Sequence, residues 1–318
     1  MLPMRKNNLE LVSVLMSTYK EPLEWIELSL NSVINQTYRN IECIIIVDDP
    51  SNWELIELLK RYKEKYNFIK LIINEENLGL VRSLNNGLIY CNGQYIARMD
   101  ADDISHPNRL QEEVAYLKKF DLDVVGCQFE SFCDDYINDS RKGPSTSFIT
   151  NKILRVANCV GHPTWLLKKS VYDSLGGYRE INSCEDYDFL LRAAMKGCKI
   201  GIVNKPLLRY RHSMQSISSK NKIQQIVISD LLRKNYRQNK VLDYNYYLQW
   251  LESDKYKKAF ASFEQYIAVK EKILNGHTKK SEKIALFPKL LTCREFYYNV
   301  SSTVYRLFWM RMDSFSAR

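Results

Sequence analysis

The chain has 318 residues, 45% hydrophobic and 26% charged, which is ample for a buried core and excludes a disordered or low-complexity chain. Its net charge of +9 favours anionic partners, whether phosphorylated substrates, nucleic acid or an acidic membrane face, without choosing among them. No run approaches ~18 consecutive apolar residues, so no spanning helix is expected, and the polar start Met1–Glu10 does not read as a signal peptide.

Leu11–Met16 reads as a strand and runs into Ser17, Thr18 and Tyr19. Pro22 opens a helical pattern to about Asn35, with Trp25, Leu28, Val33 and Ile34 spaced for one face. Ile41–Val47 is a continuous apolar strand that stops at Asp48-Asp49-Pro50-Ser51. A helix over Trp53–Tyr66, a strand at Ile69–Ile73, a helix over about Leu80–Cys91 and a strand from Tyr95 follow. Strands alternating with helices, each strand apolar throughout, predict a parallel sheet covered on both faces. Such sheets bind ligands at the carboxyl ends of their strands. Ser17–Tyr19, Asp48-Asp49 and Asp100–Asp103 all fall there.

Further along, Asp123–Phe132 predicts another strand and the polar Asp134–Thr150 a loop. Gly176-Gly177 marks a tight turn, and the acidic cluster Glu185-Asp186-Tyr187-Asp188 opens a helix to about Lys196. Lys199–Val203 and Leu207–Tyr210 predict two short strands. From about Asn221 glycine nearly disappears and helical spacing dominates, so the chain divides into 1–220 and a helical region, 221–318. The eight cysteines form no C-x-x-C and lie mostly in apolar surroundings; they read as buried thiols in a reducing, cytoplasmic compartment.

The stretch Tyr95–Pro107, YIARMDADDISHP, ends a strand in three carboxylates, Asp100, Asp102 and Asp103. Such a cluster repels itself unless a cation neutralises it, and hard oxygen ligands suit Mg²⁺ or Mn²⁺. The same stretch would also serve as a polar turn capping a helix that starts near Pro107, with Asp103 or Ser105 as N-cap.

In order, VSVLMSTYKE, SVINQTYRNIECIIIVDDPS, NLGLVRSLNNGL, GQYIARMDADDISHPNRL, GGYRE and CEDYDFLLR resemble the inverting nucleotide-sugar glycosyltransferases of family 2, over about Leu11 to Ser218. The resemblance implies an α/β fold of GT-A type, Rossmann-like, with a mostly parallel central sheet flanked by helices and a C-terminal helical extension. It implies a UDP-sugar donor, with Asp49 accepting the uracil N3–H and Ser17, Thr18, Tyr19, Glu21 and Asp48 around the nucleoside. Pro50 stands where the family often has Gly. Asp102 would be a direct ligand of Mn²⁺ or Mg²⁺, Asp100 would face ribose or metal water beside Ala101, and His212 would add a ligand. Arg82 would pair with a phosphate or sugar hydroxyl. Asp186, beside Glu185, would be the general base, with Arg192 holding the acidic pair. His162, Trp165, Tyr178 and Arg211 would lie near acceptor or donor sugar.

The acceptor implied is a glycan, undecaprenyl-diphosphate-linked, in O-antigen or capsule synthesis. The basic, aromatic stretch Phe287–Arg318 fits either an anionic membrane surface on the inner face of the cytoplasmic membrane or a helical cover on the core. No nucleic-acid-binding module is recognised. A sugar nucleotidyltransferase would need a glycine-rich loop, and Leu11–Glu21 has no glycine. A non-catalytic nucleotide-sugar-binding protein is the other alternative, which the intact Asp102 and Asp186 disfavour.

Overall fold

The apolar strands of the N-terminal half form the centre of one sheet. β1 (Val12–Thr18) lies between β2 (Ile41–Val47) and β4 (Tyr95–Asp100), and β3 (Ile69–Ile73) extends the row; all four are parallel. The computed structural model describes residues 9–132, 148–149, 151–212 and 221–274, with 281, 282, 284, 286 and 288. The segment Asp134–Thr150, apart from 148–149, and nearly all of Phe287–Arg318 fall outside these residues, as do Cys133 and Cys293.

Side chains alternate across these strands, so each needs a cover on both faces. Val12, Val14 and Met16 of β1 and Cys43, Ile45 and Val47 of β2 join one core with Ile26, Leu30 and Val33 of α1 (Leu23–Ile34) and Leu55 and Leu59 of α2 (Trp53–Lys65). On the opposite face, α3 (Leu80–Ile89) approaches so closely that a Cβ on Gly87 would sit 2.4 Å from Leu15 and 3.0 Å from Ile46. That is why α3 carries a glycine in mid-helix despite its low helix propensity. Burying each such Leu, Ile or Val contributes about 1.5–3 kcal/mol.

Beyond β4 the direction changes. β8 (Leu166–Lys168) is antiparallel to both β4 and β6 (Val124–Phe132), and β6 runs parallel to β9 (Ile200–Arg211). The two-residue strands β5 (Ile104–Ser105) and β7 (Phe148–Ile149) pair antiparallel with β9. Among the described residues the order is β3-β2-β1-β4-β8-β6-β9-β5, with β7 beside β9: a mixed α/β sheet of mostly parallel strands flanked by helices. The two short strands expected at Lys199–Val203 and Leu207–Tyr210 are one strand. Pro206 sits where the β6–β9 register shifts around Gln128, and a bulge tolerates proline inside a strand.

The chain divides into two units. Met1–Ile149, Cys159–Glu180 and Arg192–Ser213 carry the whole sheet and α1–α3, α4 (Arg109–Lys119) and α6 (Lys169–Leu175). Thr150–Asn158, Ile181–Leu191 and Met214–Arg318 form the second, with α5 (Asn151–Leu154), the start of α7 (Glu185–Met195), α8 (Lys222–Arg237), α9 (Tyr244–Glu252) and α10 (Asp254–Leu274). Its core includes Tyr187 and Phe189 of α7, Ile228 and Leu232 of α8, and Tyr247 of α9, all buried. No described helix is long and apolar enough to cross a membrane.

In the first unit an ion pair is closed off from water: Arg109 and Glu113 are 1% and 0% exposed and meet at 3.2 Å. Arg109 Nη2 also donates to the carbonyl of Arg98 on β4, at 2.9 Å. Removing one partner of such a pair strands the other charge in the interior, which typically costs about 3–5 kcal/mol. Glu113→Ala should lose stability on that scale in urea unfolding, far more than Glu57→Ala, whose pair with Lys60 is exposed. Equal stabilities would contradict this account.

Candidate functional site

The strand register brings the ends of β1, β2 and β4 level: Thr18 is opposite Val47 and Ser17 opposite Asp100. The chain leaves β4 through Asp100, Ala101, Asp102 and Asp103, and ligand oxygens of the three aspartates lie within 4.8 Å of one another. They are the only such group of potential metal ligands among the described residues. His212, exposed at the end of β9, is not in that group; its ring packs edge-on against Tyr210.

A turn this acidic does not hold itself. Two serines of α1 and Gln36, just past its C-terminal end, grip it: Ser29 Oγ donates to the Asp100 carbonyl, Ser105 N donates to Ser32 Oγ, and Gln36 donates to His106 O while accepting from Leu110 N. Ser29 and Gln36 are buried to do so. From β9, Arg211 donates its amide to Asp103 Oδ1 and its Nε to the Asp102 carbonyl, both at 2.9 Å. Its guanidinium lies 4.4 Å from the rings of Trp25 and Phe132, a cation–π position on each. From β4 itself, Arg98 reaches Asp100 Oδ1 through Nη2 at 2.5 Å.

Burial, followed by the charge of neighbouring Asp100, pushes the Asp102 carboxyl up to about 7, and the same causes raise Asp103 well above the usual range. Asp103 Oδ2 is buried with no hydrogen-bond partner among the described residues. An all-oxygen cluster with an orphaned buried carboxylate oxygen fits a hard divalent cation such as Mg²⁺ or Mn²⁺. The cap reading of Asp103 does not apply, because its side chain is spent on Arg211 and the helix starts at Arg109.

The two aspartates after β2 point to different environments. Asp48 is 3% exposed and accepts from Asn74 Nδ2 and Leu78 N at Oδ1 and from Gly79 N at Oδ2, all at 2.8 Å. It ties the end of β2 to the turn that starts α3, where Gly79 has φ +78°. Asp49 is half-buried and accepts from Ser51 N and Oγ, which lowers its pKa. After β1, Glu21 accepts from Thr18 Oγ1 and Tyr19 N, which bends the chain and leaves the Tyr19 ring exposed, with Lys20 above it. Ser17 is half-buried at the strand end and Ala101 is buried.

The other sequence-predicted residues sit as follows. Arg82 is exposed and paired with Glu180 at 2.8 Å. His162, Trp165 and Tyr178 are buried: His162 Nε2 and Tyr178 OH are 2.8 Å apart, and Trp165 Nε1 donates to Val160 O. Burial, then Arg98, drives the His162 pKa well down, so its ring is neutral. Gly177 has φ +77° and leaves no room for a Cβ beside Asn85 Oδ1, and Asn85 clasps both backbone groups of Tyr178. Arg192 donates to the carbonyls of Leu175 and Gly177 and so supports that turn.

In the second unit, Asp186 and Glu185 stand half-buried in the first turn of α7. Asn158 Nδ2 donates to Asp186 Oδ2 at 2.7 Å, and Tyr187 N to Oδ1. The turn before them contains Ser183 at φ +56°, an unfavourable conformation for a residue with a Cβ. It is held by Gln225 of α8, which donates to Ser183 O, and by Tyr247 of α9, whose hydroxyl accepts from Asn182 N. Neither support carried a signal in the sequence beyond helical spacing.

The family model described as Glycosyl transferase family 2 matches residues 13–176. The Escherichia coli O-antigen biosynthesis glycosyltransferase WbnJ is 36% identical over 186 residues, 58% of this chain and 72% of the relative. The Escherichia coli UDP-Glc:alpha-D-GlcNAc-diphosphoundecaprenol beta-1,3-glucosyltransferase WfgD is 29% identical over 219 residues, 68% of this chain and 82% of the relative. The crystal structure of S. aureus TarS 1–349 in complex with UDP-GlcNAc aligns with a TM-score of 0.59 over 96% of this chain and 91% of that one. At 15% identity, that likeness is one of fold.

The geometry separates the two aspartates after β2 experimentally. Asp48→Ala leaves two backbone N–H groups and the Asn74 amide without their acceptor, and hydrogen bonds to charged groups contribute about 1.5–3 kcal/mol each. It should therefore destabilise by at least ~3 kcal/mol in urea unfolding, while Asp49→Ala changes stability by less than ~1 kcal/mol. Equal small effects would free Asp48 from its structural duty.

Proposed function

The chain belongs to glycosyltransferase family 2 and is a glycosyltransferase, and we propose that it moves a hexose or N-acetylhexosamine from a UDP-sugar to a hydroxyl of a lipid-linked glycan, with inversion and with a divalent cation. The observation that carries this reading is the cluster of Asp100, Asp102 and Asp103 at the end of β4, level with Ser17 of β1. The names of the relatives support the finer terms: one acts in O-antigen biosynthesis, and another takes UDP-Glc to a GlcNAc-diphosphoundecaprenol.

In this reading Asp102 and Asp100 hold Mn²⁺ or Mg²⁺, with Asp103 behind them. When bound, the cation offsets the charge of the diphosphate and of the departing nucleotide. Asp49 accepts from the uracil, Tyr19 packs on the base, and Asp48 shapes that pocket by fixing the 74–79 turn. Asp186 is the general base. It takes the proton of the acceptor hydroxyl as that oxygen bonds to the anomeric carbon and the carbon–phosphate-oxygen bond breaks, so the nucleoside diphosphate leaves from the opposite side. Asn158 orients the Asp186 carboxylate by its bond to Oδ2. A lipid-linked acceptor places the reaction at the cytoplasmic face of a membrane, for which the basic, aromatic Phe287–Arg318 is the contact we assign.

A panel of UDP-, GDP- and ADP-sugars with a synthetic lipid-diphosphate sugar acceptor, read by mass spectrometry, tests the reading. Transfer should occur from a UDP-sugar, stop in EDTA, return with Mn²⁺ or Mg²⁺, and be absent in Asp102→Ala. Full transfer in chelator, or from GDP- or ADP-sugars alone, would overturn it.

The base has its own test. Loss of a general base typically slows a reaction ~10²–10⁴-fold. Asp186→Asn should depress turnover on that scale while calorimetry shows UDP affinity close to wild type. Lost UDP binding in a folded Asp186→Asn protein would make Asp186 a donor-site residue instead.

A further inference from the structure

Arg98 is an expensive residue to keep where it is. It lies on a central strand, 3% exposed, and its Nε and Nη1 are buried without hydrogen-bond partners among the described residues. A buried ion pair generally stabilises a fold no better than well-packed apolar residues of similar volume, and unpaired buried donors add a further cost. Packing therefore does not account for an arginine in a strand that reads Tyr-Ile-Ala before it and Met-Asp after it. Its third nitrogen does: Nη2 sits 2.5 Å from Asp100 Oδ1, and Arg98 and Asp100 share a face of β4 because they are two residues apart.

The backbone of Arg98 is clamped on both sides. Its amide donates to Trp165 O at 2.8 Å and its carbonyl accepts from Arg109 Nη2, which Glu113 in turn holds. The guanidinium thus emerges from a rigid point beneath an acidic turn. Asp100 keeps its carboxylate 30% exposed while one of its oxygens is held from within.

We propose that Arg98 is a positioning residue for the cation site: it clamps Oδ1 of Asp100 from inside the sheet, presets Oδ2 toward the cation, and supplies the fixed positive charge that lets three carboxylates stay within 4.8 Å of one another. The proposal rests on the divalent-cation reading above. Partners that orient metal ligands typically account for 10–100-fold in metal affinity. Lysine keeps the positive charge but presents a compact ammonium on a different stem in place of the planar guanidinium, so it replaces Arg98 only in part.

The test uses the full chain without nucleotide and reads Mn²⁺ uptake by electron paramagnetic resonance, with circular dichroism to confirm folding. Arg98→Met should bind Mn²⁺ roughly 10–100-fold more weakly than wild type, with Arg98→Lys between them. Combined with Asp100→Asn, the Arg98→Met change should weaken binding little beyond Asp100→Asn alone, because both remove one interaction. Wild-type affinity in Arg98→Met, or in Arg98→Lys where the Met variant does not fold, overturns the proposal. So does an additive double variant, which would make Arg98 a general support of the fold. Wild-type protein that takes up no Mn²⁺ would overturn the cation site itself, whereas wild-type uptake with unchanged Arg98 variants overturns the Arg98 role alone.

Discussion

Three carboxylates held within 4.8 Å of one another at the end of a central strand are the constraint around which the first unit is arranged. Their mutual repulsion in a partly buried setting is large and must be offset. The surroundings do so by three routes. Ser29 and Ser32 of α1, with Gln36 just beyond it, fix the backbone of the turn, Arg211 of β9 fixes Asp103, and Arg98 of β4 fixes Asp100. Each comes from a different element, and each is itself anchored, Arg211 between two aromatic rings and Arg98 through the Arg109–Glu113 pair. The cation that such a cluster suits would thus meet ligands whose backbone is already in place. That is preorganisation in the physical sense: little ordering remains to be done when the ligand binds.

The end of β2 follows a different rule. Adjacent aspartates after β2 have the same chemistry, yet one is consumed by the fold and the other stays half-exposed. Asp48 satisfies Leu78, Gly79 and Asn74, so it fixes the shape of the 74–79 turn. Asp49 bonds within its own turn, to Ser51, and keeps a half-exposed carboxylate. Gly79 completes the arrangement, since its positive φ turns the chain into α3 with the amide facing Asp48.

The second unit shows what a helical region poor in motifs contributes. Asp186 stands on a turn whose Ser183 adopts a conformation that costs of order 1–3 kcal/mol unless its surroundings enforce it. Gln225 and Tyr247, from helices far along the chain, provide that enforcement through bonds to Ser183 and Asn182. Cys184 adds a bond to the Gln225 carbonyl. Residues 222–252 are therefore part of how the base we assign is held, although none of them has chemistry of its own.

The α/β character, the order of the first four strands and helices, and the crowding of Asp100, Asp102 and Asp103 at a strand end were legible in the sequence. Local rules govern them: strands buried on both faces must be apolar throughout, their ends must break the pattern, and three carboxylates cannot crowd a strand end without a counter-charge. The family was legible too, because its motifs lie in order along those same strand ends. What only the tertiary structure decided was where each polar side chain spends its hydrogen bonds. That Asp48 faces inward and Asp49 does not, that His162 and Trp165 are buried, and that His212 lies outside the aspartate cluster follow from which segments are folded against them. That Arg98 meets Asp100, and that Gln225 and Tyr247 grip the turn before Asp186, depend on contacts across two to sixty-five residues of chain. Spacing along a sequence sets the face a residue occupies; its partner is chosen by packing, which no local pattern encodes.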